Sequence, residues 1–191
     1  IKKASDGYYY MWAQSSVGNK NNPTPYSDGS SGGMCLYRTN NISVASSWRG
    51  SGDWSSNPVK FSVKNINPYT QPSSKSNICT PNPDLQKYSI YSLSSWTYNT
   101  ILKKYIAIGI IKLNNNKNYS HQIFYTLSNT GFTWSKPIML KAIHWISDWP
   151  KSSNTAIAYC SIIDPSSTTI NNDRNYQYSG AKPWLICTKF Q

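Results

Sequence analysis

β-Branched and aromatic residues gather in short runs along this chain, and turn-forming residues separate the runs. That pattern predicts strands joined by surface connections. The runs lie at Gly7–Ala13, Met34–Thr39, Val59–Val63, Tyr88–Ser94, Lys104–Ile111, Gln122–Leu127, Pro137–Leu140, Ala156–Ile163 and Trp184–Lys189. Four long polar stretches come between them: Ser15–Gly33, Asn65–Pro83, Leu113–Ser120 and Pro165–Gly180. A single short helical turn is predicted at Trp145–Pro150. Strong helix formers are scarce, so a helical fold is excluded and an all-β antiparallel one expected. No shift in composition marks a second domain within residues 1–191, which read as one all-β domain or a portion of a larger one.

One hairpin has a mechanical reading. In Leu127-Ser-Asn-Thr-Gly-Phe-Thr-Trp134 a strand ends, and Gly131 falls where a positive φ is needed. Thr133 and Trp134 are then expected to start the next strand, with the indole covering the turn. Sialidase-like propellers carry a hairpin that resembles this one, with Asp in place of Asn129. Such a hairpin supports folding and is remote from chemistry.

Composition narrows the chemistry. The chain has 191 residues, 19 Lys and Arg against seven acids, and a net charge of +12. All seven acids are Asp, which removes any mechanism that needs a Glu from this chain. Two His and four scattered Cys lack the close pairing of a structural zinc cluster, and neither metal nor cofactor is implied. No run approaches the roughly 18 apolar residues of a membrane span. No charged-then-apolar leader precedes the first strand, and the start at Ile1 reads as a processed product or a fragment. Cys35, Cys79, Cys160 and Cys187 allow three pairings if oxidised, or serve as four small buried hydrophobes, the plainer reading. Cys160 and Cys187 are the pair to test first. Asn41-Ile-Ser and Asn118-Tyr-Ser match the glycosylation pattern, and the chain leans towards a secreted or cell-surface location.

Several segments, taken in order, resemble bacterial glycosidase-like proteins related to the five-bladed β-propeller glycoside hydrolases. They are Cys35-Leu-Tyr-Arg-Thr39, Ser47-Trp-Arg-Gly50, Asn67-Pro-Tyr69 and Ile78-Cys-Thr-Pro81, followed by Trp96-Thr-Tyr-Asn99 and Lys104-Tyr-Ile-Ala-Ile-Gly109. Tyr125-Thr-Leu-Ser128, Trp134-Ser135, Ser161-Ile-Ile-Asp-Pro165 and Arg174-Asn-Tyr176 complete the series. The order is that of the family's C-terminal half. The chain departs from the pattern at Gln177, where the family tends to be acidic, and across Gly50-Ser-Gly-Asp-Trp54. The resemblance implies propeller blades around a channel, with Tyr88–Asn99 and Ala156–Pro165 as innermost strands. A partial propeller exposes strand edges, so a second polypeptide or self-association is expected to complete it.

Glycosidases place two carboxyl groups roughly 5–9 Å apart across the scissile bond. Asp164 ends an apolar run whose burial would raise its pKa, and it is the one catalytic candidate; its plainer reading is an Asp-Pro turn. Asp84, Asp6-Gly7 and Asp28-Gly29 read as turn residues, and Asp148 as a solvated loop residue or a sugar ligand. For substrate binding the candidates are Trp96, Tyr98 and Asn99 on one strand, with Arg174 and Asn175 after the loop at 166–173. Indole and phenol faces stack on sugar rings, while amide and guanidinium groups hold hydroxyls or carboxylates. Arg38 and Arg49 read as loop-to-strand tethers. The expected function is a glycoside-hydrolase-like propeller portion that binds carbohydrate. The alternative is a basic surface protein that binds acidic polysaccharide, membrane headgroups or nucleic acid without catalysis. Nucleic acid is disfavoured, because the Lys residues are dispersed and no RNA or DNA motif occurs.

Overall fold

A computed structural model describes residues 4–15, 33–64, 79–90, 92–113, 119–146, 156–166 and 178–190. The fold is all-β with antiparallel meanders, and the chain divides into two compact units, Ile1–Lys87 and Tyr88–Gln191. The central parts of the four predicted long connections fall outside the described residues, as does most of the turn expected at 145–150.

The first unit is a four-stranded meander of β1 (Tyr9–Ser15), β2 (Gly33–Thr39), β3 (Arg49–Asp53) and β4 (Lys60–Lys64), in that spatial order. β3 has no residue that favours strands. It forms because Gly50 and Ser51 are buried between β2 and β4, so tertiary context overrides propensity. A disulfide joins Cys35 to Cys79, and the Tyr37 hydroxyl donates to Cys79 Sγ at 3.2 Å. The expectation of free thiols is corrected here, because the folded chain brings these Cα atoms within 6.2 Å. Arg38 is sandwiched between the rings of Tyr8 and Phe61, 4.3 Å from each centroid, in a cation–π contact. Arg49 is a tether, with Nη1 donating to the carbonyls of Ser46 (2.6 Å) and Trp48 (2.9 Å). Asp84 lies in the first turn of a five-residue helix, α1 (Pro83–Lys87), which Asn82 caps by accepting from Leu85 N–H at 3.1 Å.

The second unit opens with the meander β5 (Leu93–Asn99), β6 (Lys104–Lys112), β7 (His121–Ser128) and β8 (Ile138–Ile143). β9 (Ala156–Ile163) and β11 (Trp184–Phe190) form an antiparallel pair, and the short β10 (Tyr178–Ser179) joins the free edge of β5 in parallel. Buried Ile108, Ile110, Ile123, Ile143 and Ile162 form the core between the meander and the β9–β11 pair. β5 begins five residues later than predicted, and β8 begins at Ile138 rather than Thr133. Cys160 pairs with Cys187 across β9 and β11. Among the described residues, no helix is long and apolar enough to cross a membrane.

Within the connection from Ser128 to Ser135 the predicted positive φ at Gly131 and the buried indole of Trp134 are present, while Thr133 and Trp134 lie before the next strand rather than in it. Gly131 has φ +81°, and Ser128 Oγ accepts from the N–H groups of Gly131 (2.7 Å) and Thr130 (3.2 Å). Trp134 is buried, and Thr126 Oγ1 donates to the Ser135 carbonyl at 2.7 Å. This hairpin therefore links the third and fourth strands of the β5–β8 meander through side-chain bonds to its own backbone.

Candidate functional site

The end of β5 and the end of β9 carry the described candidates. Along β5 side chains alternate between faces, so Trp96 and Tyr98 share one face while Asn99 points to the other. The predicted set therefore divides into two groups, one of rings and one of polar groups.

The ring group forms across the β5–β6 hairpin, where Tyr98 sits opposite Tyr105. Tyr105 packs against Trp96 with centroids 5.5 Å apart and edge-on against Tyr98 at 5.1 Å. Tyr178 of β10 adds a perpendicular contact to Tyr98 at 6.3 Å. These rings are half-buried and fill space as well as presenting edges. Tyr105 and Tyr178 escaped sequence reasoning. The four-residue turn at 100–103 was the available signal for Tyr105, because it sets the register that pairs Tyr105 with Tyr98.

The polar group converges on one peptide segment. Asn99 Nδ2 donates to the Gly180 carbonyl (2.6 Å) and to Ser179 Oγ (3.1 Å). Its Oδ1 accepts from the N–H groups of Ile101 (3.1 Å) and Leu102 (2.8 Å), which closes the hairpin turn. Asp164, only 1 % exposed, accepts from the N–H of Gly180 at 2.6 Å through Oδ2. Its Oδ1 accepts from the N–H (3.0 Å) and hydroxyl (2.6 Å) of Ser166. Gly180 is thus held at its N–H by β9 and at its carbonyl by β5. A Cβ added there would sit 3.2 Å from Asp164 Oδ2, a close approach suited to glycine. A buried carboxylate demands such donors, because an unsatisfied one costs several kcal/mol, on the order of 3.

Asp164 is the only carboxylate side chain among the described residues of the Tyr88–Gln191 unit. Arg174 and Asn175 lie outside the described residues, as do Asp148 and Asp173. No family model matches the chain, and neither a curated protein nor a solved structure matches it. The arrangement is therefore read on its own chemistry.

That chemistry is one of binding groups. Half-buried Trp and Tyr rings stand on one face of β5, and a satisfied polar clasp stands on the other. Among the described residues, no group of three or more His, Cys, Asp or Glu side chains is placed to hold a metal ion. A recess of about 300 Å³ opens over the hairpin, lined by Lys104, Asn129, Thr133 and Trp134 among others, and none of the described site candidates (Trp96, Tyr98, Asn99 and Asp164) borders it.

Proposed function

We propose that this chain is a glycoside-hydrolase-like β-propeller portion that binds carbohydrate. The observation that carries the reading is the β5–β8 meander with its Ser128–Trp134 hairpin, followed by β9 alongside β5. Propeller blades are four-stranded antiparallel sheets whose first strands neighbour one another. β5 opens a four-stranded meander, and Ile162 N–H of β9 donates to Ser95 Oγ of β5 at 3.2 Å. β9 and β5 are the strands expected to be innermost. Residues 9–64 supply another four-stranded meander of the same type. The two disulfides favour an oxidising compartment, in line with a secreted or cell-surface protein.

In this reading Trp96 and Tyr98 stack on the sugar. Asp164 and Asn99, on the opposite face of β5, fix Gly180 and so hold the strand that carries the rings, and Arg174 and Asn175 are the groups that would orient hydroxyls or carboxylates. Among the described residues no strand is laddered onto the outer edges of β8 and β11, where a second polypeptide or another copy would add strands. Turnover would need a second carboxylate opposite Asp164, supplied from outside the described residues.

A glycan array probed with the purified chain tests the reading. Binding to a defined glycan class is expected, with loss in Trp96→Ala and Asp164→Asn at unchanged circular dichroism. Wild-type binding that persists in both variants would retire this site. The second reading, a basic protein that binds anionic surfaces, draws on the net charge of +12. It requires binding to acidic polysaccharide or anionic vesicles that collapses as salt rises, with little selectivity.

A further inference from the structure

We propose that the row of rings His121, Trp145, Tyr159 and Phe190 is a second saccharide-stacking surface, taking the apolar face of a neutral pyranose chain. The proposal rests on the carbohydrate reading above and adds where a glycan lies.

The row is built around an irregularity. Between the pairs Ile186↔Ser161 and Thr188↔Ala158, β9 contributes two residues, Tyr159 and Cys160, where β11 contributes only Cys187. This is a β-bulge, a device that re-aims a side chain. Tyr159 adopts φ +53°, the left-handed region that disfavours every side chain and a bulky ring most of all. The Cys160–Cys187 disulfide ties the two strands together at that step. The outcome is a phenol ring that is 64 % exposed although it belongs to a core strand. A bulge needed only to bend β9 would be more relaxed with Gly or Asn at this position. A strained residue held in place by its surroundings points to use of its side chain.

The other rings extend the surface. Tyr159 lies 6.3 Å from Phe190 and 6.4 Å from Trp145, both edge-on, and Trp145 lies 5.9 Å from His121. Trp145 packs partly against the isoleucine core, which fixes its orientation. The backbone N–H of Trp145 donates to Ser120 Oγ at 3.3 Å, and that hydroxyl bonds His121 Nδ1 at 2.7 Å. The exposed Tyr159 phenol, flanked by partly buried indole, imidazole and phenyl rings, offers apolar area with polar edges for a pyranose, which has C–H faces and peripheral hydroxyls. A single-stranded nucleic acid could stack on the same rings, with exposed Lys112 opposite His121 as a phosphate contact, and the salt arm of the titration below separates it from a saccharide.

The test is calorimetric titration of the full chain with cello-, xylo-, manno- and maltohexaose, and with poly-uridine RNA, at two salt concentrations. Wild type is expected to bind at least one hexaose. Tyr159→Ala and Tyr159→Gly are expected to weaken that binding about fivefold or more, while Tyr159→Phe keeps it. The glycine variant relaxes the backbone and serves as the reading if the alanine variant does not fold. Hexaose binding that is unchanged in both Tyr159 variants but lost in Trp96→Ala overturns the surface and leaves the carbohydrate reading standing. Binding on the glycan array without binding to any of the four hexaoses does the same. A wild type that binds no glycan at all overturns both. Salt-sensitive RNA binding that depends on Tyr159, with no hexaose binding, overturns the saccharide assignment.

Discussion

Two aromatic clusters of the Tyr88–Gln191 unit are built in opposite ways. Around Tyr98 the rings lie on strands in register, and the neighbouring polar groups, Asn99 and Asp164, spend their hydrogen bonds on Ser166, Ser179, Gly180 and the 100–103 turn. Around Tyr159 the backbone is bulged and the central ring faces solvent, and a disulfide holds the strands. The first cluster is stabilised by satisfied local bonds. The second keeps an unfavourable conformation because its surroundings impose it. Ring content alone therefore does not separate a packed aromatic cluster from a presented one; backbone geometry and exposure do.

The comparison is broken most strongly through the disulfide. Cys160 and Cys187 are 27 residues apart, and replacing both with Ser is expected to cost about 3 to 4 kcal/mol in urea unfolding. The loss should be accompanied by collapse of the bulge, read as a change in near-ultraviolet circular dichroism from Trp145 and Tyr159. A loss below about 1 kcal/mol would mean that the strands hold the bulge without the bridge.

Next comes the clasp. Asn99→Ala leaves the Gly180 carbonyl and the Ile101 and Leu102 N–H groups without this partner. About 3 kcal/mol of destabilisation is expected, with faster hydrogen exchange at Thr100, whose N–H donates to Ser179 O at 2.7 Å. Unchanged exchange there would detach Asn99 from the pairing of β10.

A smaller effect isolates the strain. Tyr159→Ala and Tyr159→Gly lose the same ring contacts, so the difference between them reports the backbone alone. The glycine variant should be more stable than the alanine variant by about 1 kcal/mol. The reverse order, expected at any ordinary strand position, would remove the left-handed conformation from the argument.

The smallest is a titration outside both clusters. Burial pushes the Tyr10 phenol up to about 12, reinforced by its hydrogen bond to Asp6 Oδ2 at 2.5 Å. The folded pKa lies above the unfolded value of about 10, so this contribution is complete below pH 10 and lost as pH rises towards 12. Tyr10→Phe should flatten the stability profile over that window. An identical alkaline profile in the variant would assign the loss to other groups.

Strand content was legible in the sequence where β-branched residues are dense. Ala156–Ile163 is a strand at the predicted bounds, and Gly131 takes the predicted positive φ. β3 was not legible, because Arg-Gly-Ser-Gly-Asp carries no strand propensity and pairs only between formed neighbours. Trp96, Tyr98 and Asn99 were found on one strand, as read. Period-two alternation separates Asn99 from the two rings, and that separation follows from where β5 begins.

By itself, the sequence determined an all-β chain with basic charge, little capacity for carboxylate chemistry and one self-closing hairpin. Those properties depend on residue type and short-range sterics, which are present before any long-range contact forms. Only the tertiary structure decided the pairing of the cysteines, the convergence of Asn99 and Asp164 on Gly180, and the exposure of Tyr159. Each of these joins residues distant along the chain, and their meeting is set by strand register rather than by local preference.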